Sequence, residues 1–176
     1  VCSSPQSGPT DEDTQLTGNV VCTDIDGDTL TYTKVSEPSH GTATVNGDGS
    51  FIYDPSLNYS GSDSFTFKAN DGTVDSNTAT YNVTINPVND APQVSVDISS
   101  QTSQYSDAIA DVTIAAVDVD SAVMTLLSSD LPDDLALGPA GGDCQTGTGG
   151  TTCTWTLSGI MGAPVGQYTV HVTVED

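Results

Sequence analysis

Two acidic runs hold the residues best placed to do chemistry. The first, Cys22-Thr23-Asp24-Ile25-Asp26-Gly27-Asp28, sets carboxylates at every second position, and the second, Val117-Asp118-Val119-Asp120, repeats the Asp-x-Asp spacing after another apolar stretch. Further acids follow late in each block, at Asn70-Asp71-Gly72 and at Val174-Glu175-Asp176. Calcium is held by several hard oxygens, and an Asp-x-Asp turn delivers two carboxylates from a short span. The same residues have a plainer use, because Asp at a strand end bonds nearby backbone amides and caps the turn. For either run alone the two readings stay open; recurrence at matching strand ends favours a cation. Neither run is an EF-hand. Counted from Asp24, Gly27 stands fourth instead of sixth, and Val35 occupies the closing position that needs a Glu. A calcium-binding β-helix repeat fails too, since Gly141-Gly142-Asp143-Cys144 departs from it at once.

Formal charge is -22, and Lys34 and Lys68 are the only basic side chains. Phosphates and anionic membrane surfaces both need cationic partners, so nucleic acid and anionic membranes are excluded as ligands. No apolar run is long enough to insert in a bilayer. The surplus of acid suits divalent cations or a salty exterior, and self-repulsion keeps the chain soluble. Enzyme readings are poor. His40 and His171 are the only histidines, with no Ser-His-Asp set, Cys-His pair or metal triad around them. Two carboxylates can hydrolyse a glycoside, but aromatics at 6% leave little to line a sugar cleft. Lys68 beside an acid or Asn could form an isopeptide link, and a plain exposed strand lysine is the simpler reading.

Four cysteines in a chain rich in Ser and Thr suggest two disulfides in an extracellular protein. Three connectivities are open. Gln145 to Thr152 reads as a Gly/Thr hairpin loop that brings Cys144 to Cys153, which leaves Cys2 for Cys22; free buried thiols are the alternative.

The elements that must carry these residues are strands. Asp, Gly, Thr and Ser abound and disfavour helices, and 35% apolar residues suit two thin sandwiches better than one deep core. Val1 to Asp13 reads as an extended lead-in. Alternation predicts strands over Leu16–Cys22, Leu30–Val35, Thr42–Val45, Ser50–Tyr53, Ser64–Ala69 and Thr78–Ile85. Asn46-Gly47-Asp48-Gly49 reads as a hairpin turn whose Asn-Gly supplies the positive φ angles. A second set covers Gln93–Ser99, Ile109–Val117, Val123–Ser128, Thr151–Leu157 and Gln167–Val174, with a turn at Leu131-Pro132-Asp133-Asp134. Cys153, Trp155 and Leu157 share an inner face, as do Val170, Val172 and Val174, while His171 points outward. Asp48, Asp54, Asp75, Asp97 and Asp143 read as solvated turns. Asn86-Pro87-Val88-Asn89-Asp90-Ala91-Pro92 is a proline-stiffened linker, giving domains at 1–88 and 89–176. The opening at Val1-Cys2-Ser3 and the stop after a strand pattern lead us to expect an excerpt of a longer secreted protein.

In combination these residues resemble the tandem cadherin-like and immunoglobulin-like repeats of bacterial surface proteins and adhesins. The first block carries the resemblance through Glu12-Asp13-Thr14, Asp24 to Tyr32, Pro38 to Thr42, Gly49 to Tyr53, Asn58 to Phe65 and Asn70-Asp71-Gly72. The second carries it through Tyr105-Ser106-Asp107, Asp118-Val119-Asp120 and Cys153 to Leu157, with Val88 to Pro92 between. The resemblance implies two tandem Greek-key β-sandwiches, all β, with calcium as cofactor at the junction. Carried over by position, the calcium ligands there are Asn89, Asp90, Asp118, Asp120 and Asp176. Asp24, Asp26 and Asp71 form the equivalent half-site of the first domain, facing a preceding repeat. The linker lacks the acid before and the Asn after Asn89-Asp90, and no Asp-Arg-Glu triplet occurs, so fewer ions are implied than at an animal cadherin junction. The function implied is a non-catalytic structural or adhesive spacer at the bacterial cell surface. Its partners are neighbouring repeats of the same chain, with homophilic or surface glycan contacts. The alternative is a carbohydrate-binding accessory region of a secreted enzyme, which would show an exposed row of Trp or Tyr.

Overall fold

Apolar and polar residues alternate wherever a strand buries one face and wets the other, and that pattern dominates the fold. A computed structural model of the chain describes residues 1–97, 100–101, 108–128, 135–138, 142–147, 149–159, 170 and 172–176. Those residues are all β, with no helix among them. They divide into two compact units, Val1–Val88 and Asn89–Asp176.

The first unit contains β1 (Gln6–Asp11), β2 (Leu16–Asn19), β3 (Thr31–Ser36), β4 (Gly41–Val45), β5 (Ser50–Pro55), β6 (Gly61–Asn70) and β7 (Ala79–Asn86). One sheet runs β1-β7-β6-β3 and the other β2-β5-β4. Phe51 and Tyr53 of β5 meet Phe65 and Phe67 of β6 and Tyr81, Val83 and Ile85 of β7 in the core. The Phe51 ring lies 5.3 Å from Phe65 and 4.6 Å from Tyr81, tilted 57° to each, a favourable geometry for aromatic pairs.

Three expectations need correcting here. The lead-in contains a strand: β1 pairs parallel with β7, from Gln6 opposite Tyr81 to Asp11 opposite Asn86. As a sheet edge it tolerates Pro9, which an inner strand would not. The strand expected to reach Cys22 ends at Asn19; Val20 is buried beyond it and Cys22 forms an isolated bridge with Cys2. In the β4–β5 turn the positive φ falls at Gly49, at 90°, and not at Asn46-Gly47. Asp48 steadies that turn by accepting both the amide and the hydroxyl of Ser50.

Two polar side chains tie the sandwich together. Lys34 stands opposite Phe67 on the inner face of the edge strand β3. Its Nζ donates to the Ala43 carbonyl on β4 and pairs with Glu37 at 2.5 Å. An inward lysine also discourages edge-to-edge pairing with another chain. Lys34→Ala should therefore destabilise the unit by about 1 kcal/mol. Lys34→Met should lose less because its stem still packs; urea unfolding of the two variants checks the order. Asp63, on the inner face of β6, is only 9% exposed. Its carboxylate accepts the amides of Ser39 (2.9 Å), His40 (2.9 Å) and Ser64 (2.8 Å) and the hydroxyl of Tyr53 (2.9 Å). Burial alone would raise its pKa, but the hydrogen bonds outweigh burial and hold the carboxyl below the usual range. Burial and then the bond to Asp63 push the Tyr53 phenol well up.

The second unit contains β8 (Gln93–Val96), β9 (Val112–Asp118), β10 (Thr125–Ser128), β11 (Leu135–Leu137), β12 (Asp143–Gly147), β13 (Gly150–Gly159) and β14 (Val172–Glu175). One sheet runs β11-β13-β9-β8 with β12 also on β13, and β10 pairs with β14. Ile114, Ala116, Met124, Leu126, Cys153 and Trp155 form its core, with Val172 and Val174 packed against it. Leu157 is buried as well, completing the expected inner face of β13. The sequence did not predict β11 or β12; β12 replaces part of the expected loop, and Asp143 opens it instead of lying in a turn. The Leu131–Asp134 turn, Tyr105 to Asp107, Gln167 to Thr169 and His171 lie outside the described residues.

Cys2 is bonded to Cys22 and Cys144 to Cys153, the latter pair facing each other across β12 and β13. The closed loops have sequence separations of 20 and 9. Serine replacement of the first pair should cost about 3 kcal/mol, and of the second somewhat less, because its loop is shorter and its hairpin already aligned. Thermal melts of the two double variants test that order.

Candidate cation site

β9 carries apolar residues inward until its last position, where Asp118 takes the inner-face place at 2% exposure. Its Oδ1 accepts the amides of Asp120 (2.9 Å) and Ser121 (2.5 Å). Its Oδ2 is buried and has no hydrogen-bond donor among the described residues. Turn chemistry and ligand chemistry thus fall to different oxygens of one carboxylate. Gly150, at φ 101°, makes the close packing possible: a Cβ there would lie 2.1 Å from the Asp118 carbonyl oxygen and 2.8 Å from Val119 Cα. Any side chain would push the start of β13 off the Asp-x-Asp turn.

Hydrogen bonds bring the other candidates to the same end of the unit. The Asp90 amide donates to Asp120 Oδ2 at 2.8 Å, and Asn89 Nδ2 donates to Asp176 Oδ2 at 2.5 Å. Asp90, Asp120 and Asp118 are therefore linked by one run of short polar contacts, and Asn89 and Asp176 by another. Among the described residues no three His, Cys, Asp or Glu side chains already converge as a metal cluster, so a cation would have to draw the carboxylates inward. Its chemistry would fit them. The set offers hard oxygens, and both lysines belong to the other unit. A buried carboxylate oxygen without a donor is also costly to keep.

In the first unit Asp24, only half-buried, repeats the turn bonding. Its Oδ1 accepts the amides of Asp26 (2.9 Å), Gly27 (3.0 Å) and Asp28 (3.3 Å). Asp71 Oδ1 accepts the Val74 amide and both the amide and hydroxyl of Thr73, and these bonds hold that carboxyl below its usual range. Asp24 and Asp71 line one cleft with Cys22 and Leu30, whereas Asp26 is exposed and takes no part in it. Several acids read as solvated turns have partners. Asp75 accepts Lys68 Nζ at 2.5 Å and Asn70 Nδ2 at 2.8 Å, Asp54 accepts Gln15 Nε2 at 2.8 Å, and Asp97 accepts the Thr113 amide at 2.8 Å.

Two buried acids escaped the sequence reading of sites. Asp63 could have been found by parity, since it shares a face with Phe65 and Phe67. Glu12, 4% exposed, accepts the Val88 amide at 2.6 Å and gives its own amide to the Asn86 carbonyl at 2.9 Å. It fixes the chain where β7 leaves the unit, a contact with no local sequence signal.

Residues 2–84 match the family model of the bacterial Ig domain. The stretch that forms the first sandwich is therefore similar to a bacterial Ig-like repeat, and its two packed sheets suit that class. The chain is also 38% identical over 88 residues to the integrin beta-like protein A of Dictyostelium discoideum, a match covering 41% of this chain and 5% of that protein. Among solved structures, the adhesin InvE of Yersinia pseudotuberculosis aligns with 97% of this chain and 56% of its own, at 12% identity and a TM-score of 0.34. The chain thus spans only part of either protein's length.

Proposed function

We propose that the chain is a non-catalytic spacer of a bacterial surface protein, bearing tension between neighbouring repeats, with calcium taken up at the linker end of its second unit. The buried, donorless Oδ2 of Asp118 carries this reading. Asn89, Asp90, Asp120 and Asp176 supply further oxygens nearby. The bacterial Ig match supports the repeat character, and two disulfides suit an oxidising exterior. Every Phe, Tyr and Trp side chain among the described residues is buried or half-buried, which favours a spacer over a glycan-binding platform. A cation that binds the linker end stabilises whichever arrangement of the tandem completes its coordination. Chelation should therefore lower the melting temperature and widen the spread of radii in solution scattering. An unchanged melt and scattering profile would count against calcium.

A further inference from the structure

β1 and β7 are the first and last strands of the first unit, and they run parallel. Tension that enters ahead of Gln6 and leaves after Asn86 pulls them lengthwise in opposite directions. Ladder hydrogen bonds lie across the strands, so this pull loads the whole ladder at once instead of opening it rung by rung. On strand order alone, β1–β7 would be the load-bearing contact. Yet Cys2 stands ahead of β1 and is bonded to Cys22, beyond β2. Both strands lie inside one covalent loop.

Force speeds a transition only insofar as that transition lengthens the chain between its points of attachment. With the loop closed, detaching β1 from β7 releases almost no length, because Cys2 remains at Cys22. That junction has its own anchors. The Cys22 amide donates to the Tyr32 hydroxyl at 3.1 Å, and the neighbouring Val20 amide to the Gly49 carbonyl at 2.9 Å. Asn77 accepts the Cys2 amide at 2.9 Å and donates to the Cys2 carbonyl at 3.0 Å.

We propose that the Cys2–Cys22 disulfide takes β1 and β2 out of the path of tension, leaving the strands after Cys22 to bear the load. The proposal rests on the reading of the module as tension-bearing, and not on calcium. Single-molecule stretching of the full chain tests it, comparing the wild type with a Cys2→Ser/Cys22→Ser chain, each with and without Thr10→Pro. Thr10 stands in β1 opposite Ile85 with the parity of Glu12, whose amide reaches the Asn86 carbonyl of β7 at 2.9 Å, so proline at Thr10 removes an amide from the β1–β7 ladder. Gly8→Val serves as a second disruption, since a Cβ at Gly8 would sit 2.5 Å from the Tyr81 hydroxyl oxygen. In the disulfide-bonded chain neither β1 substitution should change the unfolding force of the first unit. In the serine chain each should lower it and raise the unfolding rate at fixed load about tenfold. As a check on the loop, the serine chain should release about 70 Å more length, given the separation of 20 residues. A weaker disulfide-bonded chain with Thr10→Pro would overturn the proposal, and so would an insensitive serine chain. A first unit without a resolvable unfolding event in any chain would overturn the tension-bearing reading and the proposal with it.

Discussion

An Asp63→Ala chain should lose about 3–5 kcal/mol of stability in its first unit. One carboxylate there satisfies three backbone amides and a phenol in a site 9% exposed. Removing it leaves three backbone amides short of an acceptor, two of them in the turn that leads from β3 into β4, while the Tyr53 hydroxyl keeps only the His40 carbonyl at 3.2 Å. Asp63→Asn should lose less, because its carbonyl oxygen keeps some of these donors while its amide group turns against the others. The pH dependence has a definite sign. The folded pKa lies below the ordinary value, so the stabilisation is present above the unfolded pKa of about 3.9 and is lost as pH falls through the folded value. Urea unfolding at neutral pH and near pH 3 should show the wild type falling toward the Asp63→Asn variant as acid is added. An Asp63→Ala loss below about 1 kcal/mol would mean that water replaces these bonds freely.

The second large effect is a reversal of order at Asp118. In excess chelator, Asp118→Asn should be more stable than the wild type by roughly 1 kcal/mol, since it removes a buried charged oxygen that lacks a donor. Its remaining carbonyl oxygen can still cap the amides of Asp120 and Ser121. With calcium at 100 to 1,000 times its dissociation constant, the wild type gains about 3–4 kcal/mol by mass action, and the variant, with Asp120→Asn added, should gain almost none. The melting curves of the two proteins should therefore cross as calcium is raised. If the wild type is the more stable in chelator and calcium moves neither, Asp118 is a turn residue only.

Strand identity was legible wherever one face is buried, as in Phe65-Thr66-Phe67-Lys68-Ala69 and Cys153-Thr154-Trp155-Thr156-Leu157. The Cys144–Cys153 pairing was legible from its hairpin loop, and Cys2–Cys22 followed as the pair left over. β1 was hidden because Pro9 and Gly8 lower strand propensity while parallel pairing with a distant strand supplies what local sequence does not. β12 was hidden because Asp143 and Gly147 look like turn residues until Cys144 is set against Cys153. At the candidate site, the Asp-x-Asp spacing was visible, and so was its double meaning. That the two meanings fall on two oxygens of Asp118, one capped and one buried without a donor among the described residues, has no trace in composition or spacing.

The most direct test of calcium at the linker end of the second unit is an anomalous-difference map from crystals grown with calcium. A calcium ion bound there should give a peak about 2.3–2.6 Å from Asp118 Oδ2, the usual calcium–oxygen distance, with oxygens of Asp120 and Asp90 or Asn89 completing the shell. A map with no peak at that end, and with Asp118 Oδ2 bonded to water or protein donors alone, would contradict the calcium reading.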